Sequence, residues 1–303
     1  SPPPALLPSP PPLVSSLLIP RRTFLFPSLS TLEAVKRVAA DEYFTAVEVR
    51  SCRDDAEREE VRRVLEQAHL TVYYGAHPDL LSMKLNPNAM DEAERQRAET
   101  FLKHAVDEAS YLGARGMAFL AGKWEEKMKE RAYSQLLKTT IQVCRYAEEK
   151  GLKVELELFD HDVDKAVLMG PASYVAAFAA AVRRQFGNFG LLADLSHMPL
   201  TRETAREVIP AIRPYLTHLH FGNAVTKPGC PGYGDKHPRM GFPGGCNDVP
   251  ELLDFLQVLK EEGFFREEDP LPMSMEVTVM DGESEDAVLA GTKRAFNRAW
   301  ALL

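Results

Sequence analysis

Short apolar segments typical of β-strands alternate along the chain with longer stretches typical of helices. Eight strands are predicted, at residues 24–27, 46–50, 71–75, 116–121, 153–159, 190–194, 217–221 and 272–277. The stretches between them carry apolar residues at three- and four-residue spacing, which predicts amphipathic helices at residues 56–68, 92–112, 131–150, 172–186, 203–209 and 249–262. This alternation indicates repeated βα units that build a parallel sheet.

The number of βα units favours one domain over two. Eight units without a break in composition predict a single (β/α)8 TIM barrel over residues 23–303, and a chain of 303 residues with 45% hydrophobic content can bury such a core. Residues 1–22 stand apart, because they include SPPPALLPSPPPLVSSLLIP, and proline favours polyproline II over helix or sheet. We predict an irregular proline-rich extension there.

Composition excludes several classes of function. The net charge is −8, which disfavours nucleic-acid partners because phosphate binding depends on Lys and Arg. The sequence contains no apolar run of 18 residues, so no membrane span is expected. The 4 cysteines form no CxxC motif, which indicates neither a zinc knuckle nor a disulfide framework. We therefore predict a cytoplasmic protein, and a homo-oligomer is compatible with apolar residues on barrel helices.

Polar residues gather at the ends of the last four predicted strands. The segments VELELFDHD, LLADLSHMP, THLHFGN and MSMEVTV supply Glu155, Glu157, Asp194, His197, His218, His220 and Glu276. Active sites of (β/α)8 barrels lie at this face. Carboxylates within apolar runs are costly unless they are paired or bind a cation. Carboxylates with imidazole and no thiolate suit Mn²⁺, Mg²⁺, Co²⁺ or zinc.

From about residue 24 onward the chain resembles the xylose isomerase-like TIM-barrel superfamily, the sugar isomerases and epimerases that bind one divalent metal. The matching segments are GLKVELELFD, ADLSHM, HLHFGN and SMEV, in this order. The resemblance implies one divalent ion, with manganese expected before magnesium, cobalt or zinc, and a sugar or sugar derivative as the substrate. The metal ligands that it implies are Glu157, Asp194, His220 and Glu276. It selects Glu157 over Glu155 because the strand-five ligand of the family typically lies six residues after a glycine, here Gly151.

The resemblance to the ketose 3-epimerase branch is less complete. That branch has an arginine shortly after the strand-seven histidine, whereas this chain reads GNAVTKPG with Lys227 nearby. The second glutamate of that branch is also missing from the strand-five region. The family places a substrate-binding histidine three residues after the aspartate, which implies that role for His197. The resemblance therefore indicates the superfamily more firmly than this branch.

A long loop after strand seven adds further candidate contacts. Its sequence, GNAVTKPGCPGYGDKHPRMGFPGGCND, is rich in glycine and proline and is too long for a simple connection. Loops on this face of a barrel carry function and can close over a ligand. We predict that Lys227, His237 and Arg239 bind substrate, together with His77 after strand three.

These residues lead to a hypothesis of metal-dependent isomerisation or epimerisation. The cation would polarise the carbonyl of a ketose and stabilise the enediolate that forms when the neighbouring proton leaves. Glu157 and Glu276 would serve as base and acid on two faces of that carbon. The same first step could instead lead to elimination, which would make the protein a lyase on a keto-sugar or keto-glycoside.

Two alternatives belong to other classes. The apurinic-site endonucleases share this barrel, use several zinc ions and have an Asp-x-His pair after strand seven, which Asp235 and His237 resemble. Strand four ends in FLAGKW, where that pattern requires a histidine, and the acidic net charge disfavours DNA. A barrel without catalytic activity that serves as a scaffold is disfavoured because the complete implied ligand set is present.

Overall fold

The computed structural model describes residues 13–16 and 29–303. Within these residues, parallel strands pair in sequence order and close into a barrel. The strands are β1 (Leu13–Ser16), β2 (Ala46–Val49), β3 (Thr71–Gly75), β4 (Ala114–Leu120), β5 (Lys153–Glu157), β6 (Phe189–Asp194), β7 (Leu216–Phe221) and β8 (Met273–Met275). The predicted (β/α)8 barrel is thereby confirmed.

Helices follow the strands and cover the outside of the barrel. They are α1 (Thr31–Ala39), α2 (Asp55–Ala68), α3 (His77–Ser82), α4 (Glu92–Tyr111), α5 (Lys129–Glu148), α6 (Ala172–Arg183), α7 (Met198–Thr201), α8 (Ala205–Ile212), α9 (Val249–Glu261) and α10 (Glu285–Ala301). The six helices predicted from spacing are present as α2, α4, α5, α6, α8 and α9. Among the helices of the described ranges, none is long and apolar enough to cross a membrane.

Local sequence signals explain where these helices begin and end. Asp54 and Asp91 precede α2 and α4, and each side chain accepts a backbone N–H of the first turn. Such N-caps satisfy donors that would otherwise lack partners. Gly151 ends the turn after α5 with φ of 69°, a left-handed conformation that glycine adopts without strain. The chain thus enters β5 in the orientation that directs its last residues to the functional face.

The first strand differs from the sequence prediction. The strand predicted at residues 24–27 lies outside the described residues, and β1 is formed instead by Leu13–Ser16, inside the segment predicted to be irregular. It pairs with both neighbours, Val14 being in register with Ala46 and Ser274. The physical reason is that Pro12 and Pro20 flank the run LVSSLLI without interrupting it, so four residues keep the backbone donors that a barrel strand needs. The barrel therefore includes residues before residue 23, the position at which the sequence predicts its beginning.

Candidate metal centre

Four side chains meet at the carboxyl ends of the last four strands. Glu157 and Asp194 are the final residues of β5 and β6, His220 lies near the end of β7, and Glu276 directly follows β8. Asp194 and His220 are in register. One ligand atom from each of the four lies within 4.8 Å of the others, and all four residues are buried. The chain thus brings together the set that the family resemblance implies.

Two oxygen atoms in this cluster lack hydrogen-bond partners. They are Oε1 of Glu157 and Oδ2 of Asp194. Glu157 Oε1 lies 3.5 Å from His197 Nδ1 and 3.7 Å from His220 Nδ1. Asp194 Oδ2 lies 3.7 Å from His197 Nε2 and 3.9 Å from His237 Nδ1. These separations exceed hydrogen-bonding distance, and a buried carboxylate oxygen without a partner is costly. A divalent cation among the four side chains would satisfy both oxygens, so the residues fit such an ion.

Burial and neighbouring charges shift the pKa values of residues in the cluster. Burial raises the pKa of the Asp194 carboxyl above its ordinary value. Burial would also raise the pKa of Glu276, but the charges of His237 and His220 lower it. Burial opposes a charge on His220, yet Glu48 and Glu157 hold the pKa of its imidazole well above the ordinary value. Several buried acids thus depend on positive charge nearby, which is the electrostatic environment that a cation would favour.

A second polar group adjoins these four residues. Oδ1 of Asp235 lies 3.1 Å from His197 Nε2 and 2.7 Å from His237 Nε2, and its Oδ2 lies 2.7 Å from Lys165 Nζ. Burial would raise the pKa of Asp235, but His237 and Lys165 hold it well below its ordinary value. Burial disfavours a charged His237, while Glu276 and Asp235 raise its pKa to about 9. The group is therefore a compact set of opposite charges beside Asp194.

His77 completes the inner surroundings of the cluster. It lies at the start of α3, and its Nε2 is 3.0 Å from Glu157 Oε2, although the two atoms are not aligned for a hydrogen bond. His197 is fixed by a contact of 2.7 Å between its Nδ1 and the Leu158 carbonyl oxygen. Its ring also packs on Phe159, with centroids 4.3 Å apart. Three of the predicted substrate-binding residues, His77, His197 and His237, are thus brought to the cluster.

The other two predicted substrate-binding residues are placed differently. Arg239 Nε donates to Glu283 at 2.8 Å, and its Nη1 donates to the Gly241 carbonyl at 3.2 Å. These contacts engage its guanidinium at the start of α10, away from the four buried side chains. Lys227 is exposed to solvent on the same long loop. The position of a charged residue in this loop therefore does not by itself show whether its side chain reaches the cluster.

Two asparagines fix the ends of that loop. Asn223 Oδ1 accepts the backbone N–H of Asn247 at 2.8 Å. Asn247 Nδ2 donates to the carbonyls of Gly222 at 3.0 Å and Leu195 at 3.3 Å. The loop therefore leaves and re-enters the barrel rim at one point, and it holds His237 over the cluster.

Two residues near the site were not among the predicted site residues. Glu48 on β2 is fully buried, and its Oε2 lies 2.8 Å from Nε2 of His220. A single carboxylate inside the apolar run FTAVEV was the signal that could have indicated it. Lys165 lies in the acidic segment DHDVDK after β5, which resembles an ordinary solvated loop.

Comparisons with known proteins agree with the fold. The family described as the xylose isomerase-like TIM barrel matches residues 37–292. The solved structure of an L-ribulose 3-epimerase is similar with a TM-score of 0.70 and 16% identity, covering 96% of this chain and 94% of that one. The solved structure of an AP endonuclease, family 2, from Brucella melitensis is similar with a TM-score of 0.68 and 16% identity, and the match covers 91% of this chain and 96% of that one. The solved structure of the 3-keto-D-glucoside 4-epimerase from E. coli has a TM-score of 0.65 and 12% identity, and the match covers 97% of this chain and 98% of that one. No curated protein shows a significant match.

Proposed function

Because the chain belongs to the xylose isomerase-like TIM-barrel family, we propose that it is a divalent-metal-dependent sugar isomerase or epimerase. The observation that carries this proposal is the convergence of Glu157, Asp194, His220 and Glu276, with two buried oxygens that lack hydrogen-bond partners. The names of the L-ribulose 3-epimerase and the 3-keto-D-glucoside 4-epimerase support the class of substrate. The substrate would be a sugar or sugar derivative that carries a carbonyl group.

The four clustered residues would hold the ion, which we propose to be manganese, with magnesium, cobalt or zinc as alternatives. A divalent cation bound by these residues would polarise a carbonyl and acidify the neighbouring C–H bond. Carboxylates suit manganese and magnesium and imidazole suits zinc, so this mixed ligand set is compatible with more than one of these metals. The four side chains are buried, which would strengthen their electrostatic interaction with a bound ion.

We assign the proton transfers to Glu157 and Glu276. Oε2 of Glu157 lies beside His77, at 3.0 Å, and Oε1 of Glu276 lies 3.7 Å from His237 Nε2. Each carboxylate therefore has a second oxygen directed to an imidazole rather than into the centre of the cluster. One carboxylate would remove the proton beside the carbonyl and the other would return a proton to the opposite face, which inverts that carbon.

The residues around these two carboxylates would bind the substrate. Nε2 of His197 and Nε2 of His237 both face Asp235 Oδ1, so a substrate oxygen would bind these histidines by replacing that contact, and Lys165 adds a positive charge at the rim. Lys227 and Arg239 remain predicted contacts at the outer edge. We further propose a cytoplasmic location, because all four cysteines are free thiols. A homo-oligomer remains a prediction.

Exchange of substrate hydrogen with solvent tests this proposal. The Mn²⁺-loaded protein is incubated with ketoses and keto-glycosides in D2O, and NMR follows deuterium at the carbon next to the carbonyl. The parent protein should incorporate deuterium, and Glu157→Gln and Glu276→Gln should each lower the rate by at least about 100-fold because a general base or acid is lost. Release of a substituent from the product would identify the lyase branch of the same chemistry.

Glu108→Gln provides a matched control. Glu108 is a partly buried carboxylate that accepts hydrogen bonds from Tyr74 and Cys52 outside the cluster. Its variant should exchange at the parent rate. If both cluster variants exchange hydrogen as fast as the parent protein does, the proton-transfer roles of Glu157 and Glu276 are refuted.

A multi-zinc phosphodiesterase is the second candidate, and one observation favours it. His197, Asp235 and His237 form a compact group next to the first cluster, and the AP endonuclease from Brucella melitensis has the same fold. Against it, β4 is followed by Ala121 and Gly122 rather than by a histidine, and the Gly122 N–H donates to Asn88 Oδ1 at 2.5 Å. Elemental analysis distinguishes the two candidates, because one ion per chain supports the sugar enzyme and three zinc ions support the nuclease.

A further inference from the structure

A continuous chain of polar side chains lies inside the barrel beneath the metal cluster. The contacts run from Glu155 to His218 at 3.1 Å, on to Ser274 at 3.2 Å, to Glu48 at 3.1 Å and to His220 at 2.8 Å. Each of these residues is at most 2% exposed. Barrel interiors are usually filled with branched aliphatic side chains, so a polar chain at this depth needs a reason. Buried polar contacts of this kind fix the orientation of the atoms they join, here Oε2 of Glu48, whereas Oε1 of Glu48 has no hydrogen-bond partner.

The end of this chain at His220 has a defined geometry. His220 Nε2 faces Glu48 Oε2 at 2.8 Å. His220 Nδ1 faces the cluster, 2.8 Å from Glu276 Oε2 and 3.7 Å from Glu157 Oε1. A neutral imidazole carries one proton, and a nitrogen can bind a metal only through its free lone pair. Both nitrogens face carboxylates, so a cation that binds Nδ1 would displace any proton there, whereas a proton on Nε2 stays paired with Glu48.

We propose that Glu48 is a positioning residue, which keeps the proton of His220 on Nε2 and presents Nδ1 to the cation. This inference rests on the proposed function, since His220 is a ligand only if the cluster binds metal. Ser274 supports Glu48, because its hydroxyl donates to the same Oε2. His218 and Glu155 lie on the far side of Ser274 and hold the network in place. Carboxylates that orient a metal-binding imidazole in this way also strengthen its affinity for the metal.

Glu155 offers a matched control for Glu48. Both are buried glutamates in the same chain of contacts, and each lies within 3.1 Å of a histidine nitrogen. Glu155 touches His218, however, which is not in the proposed ligand set. If the network only stabilised the barrel, neutralising either carboxylate would affect metal binding equally. A positioning role predicts that the two variants differ.

Calorimetric titration with Mn²⁺ measures this difference. The full chain and its variants Glu48→Gln and Glu155→Gln are stripped of metal, checked for folding by circular dichroism and titrated. We expect Glu48→Gln to weaken Mn²⁺ binding by about 10- to 100-fold and Glu155→Gln by no more than about threefold. A folded Glu48→Gln variant that binds Mn²⁺ as tightly as the parent overturns the positioning role alone. A parent protein that binds no divalent metal overturns the proposed function and this inference together.

Nitrogen NMR of the histidines gives a readout that does not depend on any variant. In the Zn²⁺-loaded parent protein, the ¹⁵N signals of His220 should show a protonated Nε2 and a metal-bound Nδ1. If Glu48→Gln does not fold, this spectrum decides the question. Metal bound through Nε2, or a His220 without metal in a protein that binds zinc, contradicts the inference.

Discussion

The buried oxygens of Glu157 and Asp194 connect stability with metal binding at the scale of single residues. Their carboxylates carry charge in an interior where neither oxygen has a hydrogen-bond partner. Burial raises the pKa of Asp194, which means that its ionised form is disfavoured in the metal-free fold. These side chains are therefore costly to the fold alone and become favourable once a cation is bound. Selection for stability alone would not place them there.

We therefore expect opposite effects of Asp194→Asn on folding and on metal binding. The amide keeps the shape and can still accept the Ser196 N–H, which lies 2.7 Å from Asp194 Oδ1. Removing the buried charge should raise the free energy of unfolding of the metal-free protein by about 1–3 kcal/mol. The same change should weaken Mn²⁺ binding. Urea denaturation in EDTA and in Mn²⁺ measures both effects, and a variant that is less stable in EDTA than the parent would argue against a costly charge at this position.

His237 makes the metal-free protein sensitive to alkaline pH. Its pKa is raised from 6.5 to about 9 by Glu276 and Asp235 in spite of burial. A group with a raised folded-state pKa contributes stability that is complete below pH 6.5 and is lost as the pH rises through 9. The metal-free protein should therefore lose about 3 kcal/mol of unfolding free energy over this interval. Denaturation at several pH values measures the loss, and His237→Gln should show a smaller one. Constant stability across this range in the parent would contradict the ion pairing.

The sequence predicts some of these residues and misses others for a physical reason. The four clustered residues and His197 lie at or just after strand ends, where the barrel directs side chains to a common face. Glu48 and His220 are 172 positions apart along the chain, and their contact depends on the closure of the barrel rather than on any local motif. Lys165 was missed for the same reason, because its partner Asp235 lies in another loop. Arg239 was selected by its place in the loop, although its contacts turn outward.

At the scale of elements, the loop after β5 is organised by one carboxylate. The side chain of Asp160 is fully buried. It accepts four consecutive backbone N–H groups, at distances from 2.7 to 3.2 Å, those of Val163, Asp164, Lys165 and Ala166. The acidic segment that resembles a solvated loop is therefore a closed turn. This turn carries Lys165 to its contact with Asp235, so the β5 loop and the β7 loop are joined at the rim.

Removing this carboxylate should open the turn. We expect Asp160→Ala to lower the free energy of unfolding by about 3 kcal/mol, because buried N–H groups lose charged acceptors. Asp160→Asn should cost less, since its amide oxygen can still accept. Urea denaturation compares the two variants, and tryptophan fluorescence of nearby Trp124 reports on the loop. Equal stability of Asp160→Ala and the parent would show that solvent replaces these hydrogen bonds without loss.

The first strand illustrates the limit of element prediction from local sequence. The aromatic run FLF at residues 24–26 has the stronger β propensity, yet β1 is the run LVSS between two proline-containing segments. Its place depends on hydrogen bonds to β2 and β8, which are distant in sequence. Propensity ranks segments by their own composition and carries no information about pairing with distant strands.

At the scale of the whole molecule, most strands of the barrel contribute a polar side chain to the candidate site or its surroundings. The strands β5 to β8 carry the four clustered side chains, β2 contributes Glu48, and His77 follows β3. The net charge of −8 is thus not only a property of the surface, because several acids converge in the interior. A bound cation would balance part of this charge.

The location of bound manganese tests this account most directly. Crystals of the full chain grown with Mn²⁺ and measured near the manganese absorption edge give an anomalous map of every bound ion. We expect one peak per chain, coordinated by Glu157, Asp194, His220 and Glu276, with Nδ1 of His220 as its nitrogen ligand. A map without a peak among these four side chains, or with manganese held only by His197, Asp235 and His237, would contradict it.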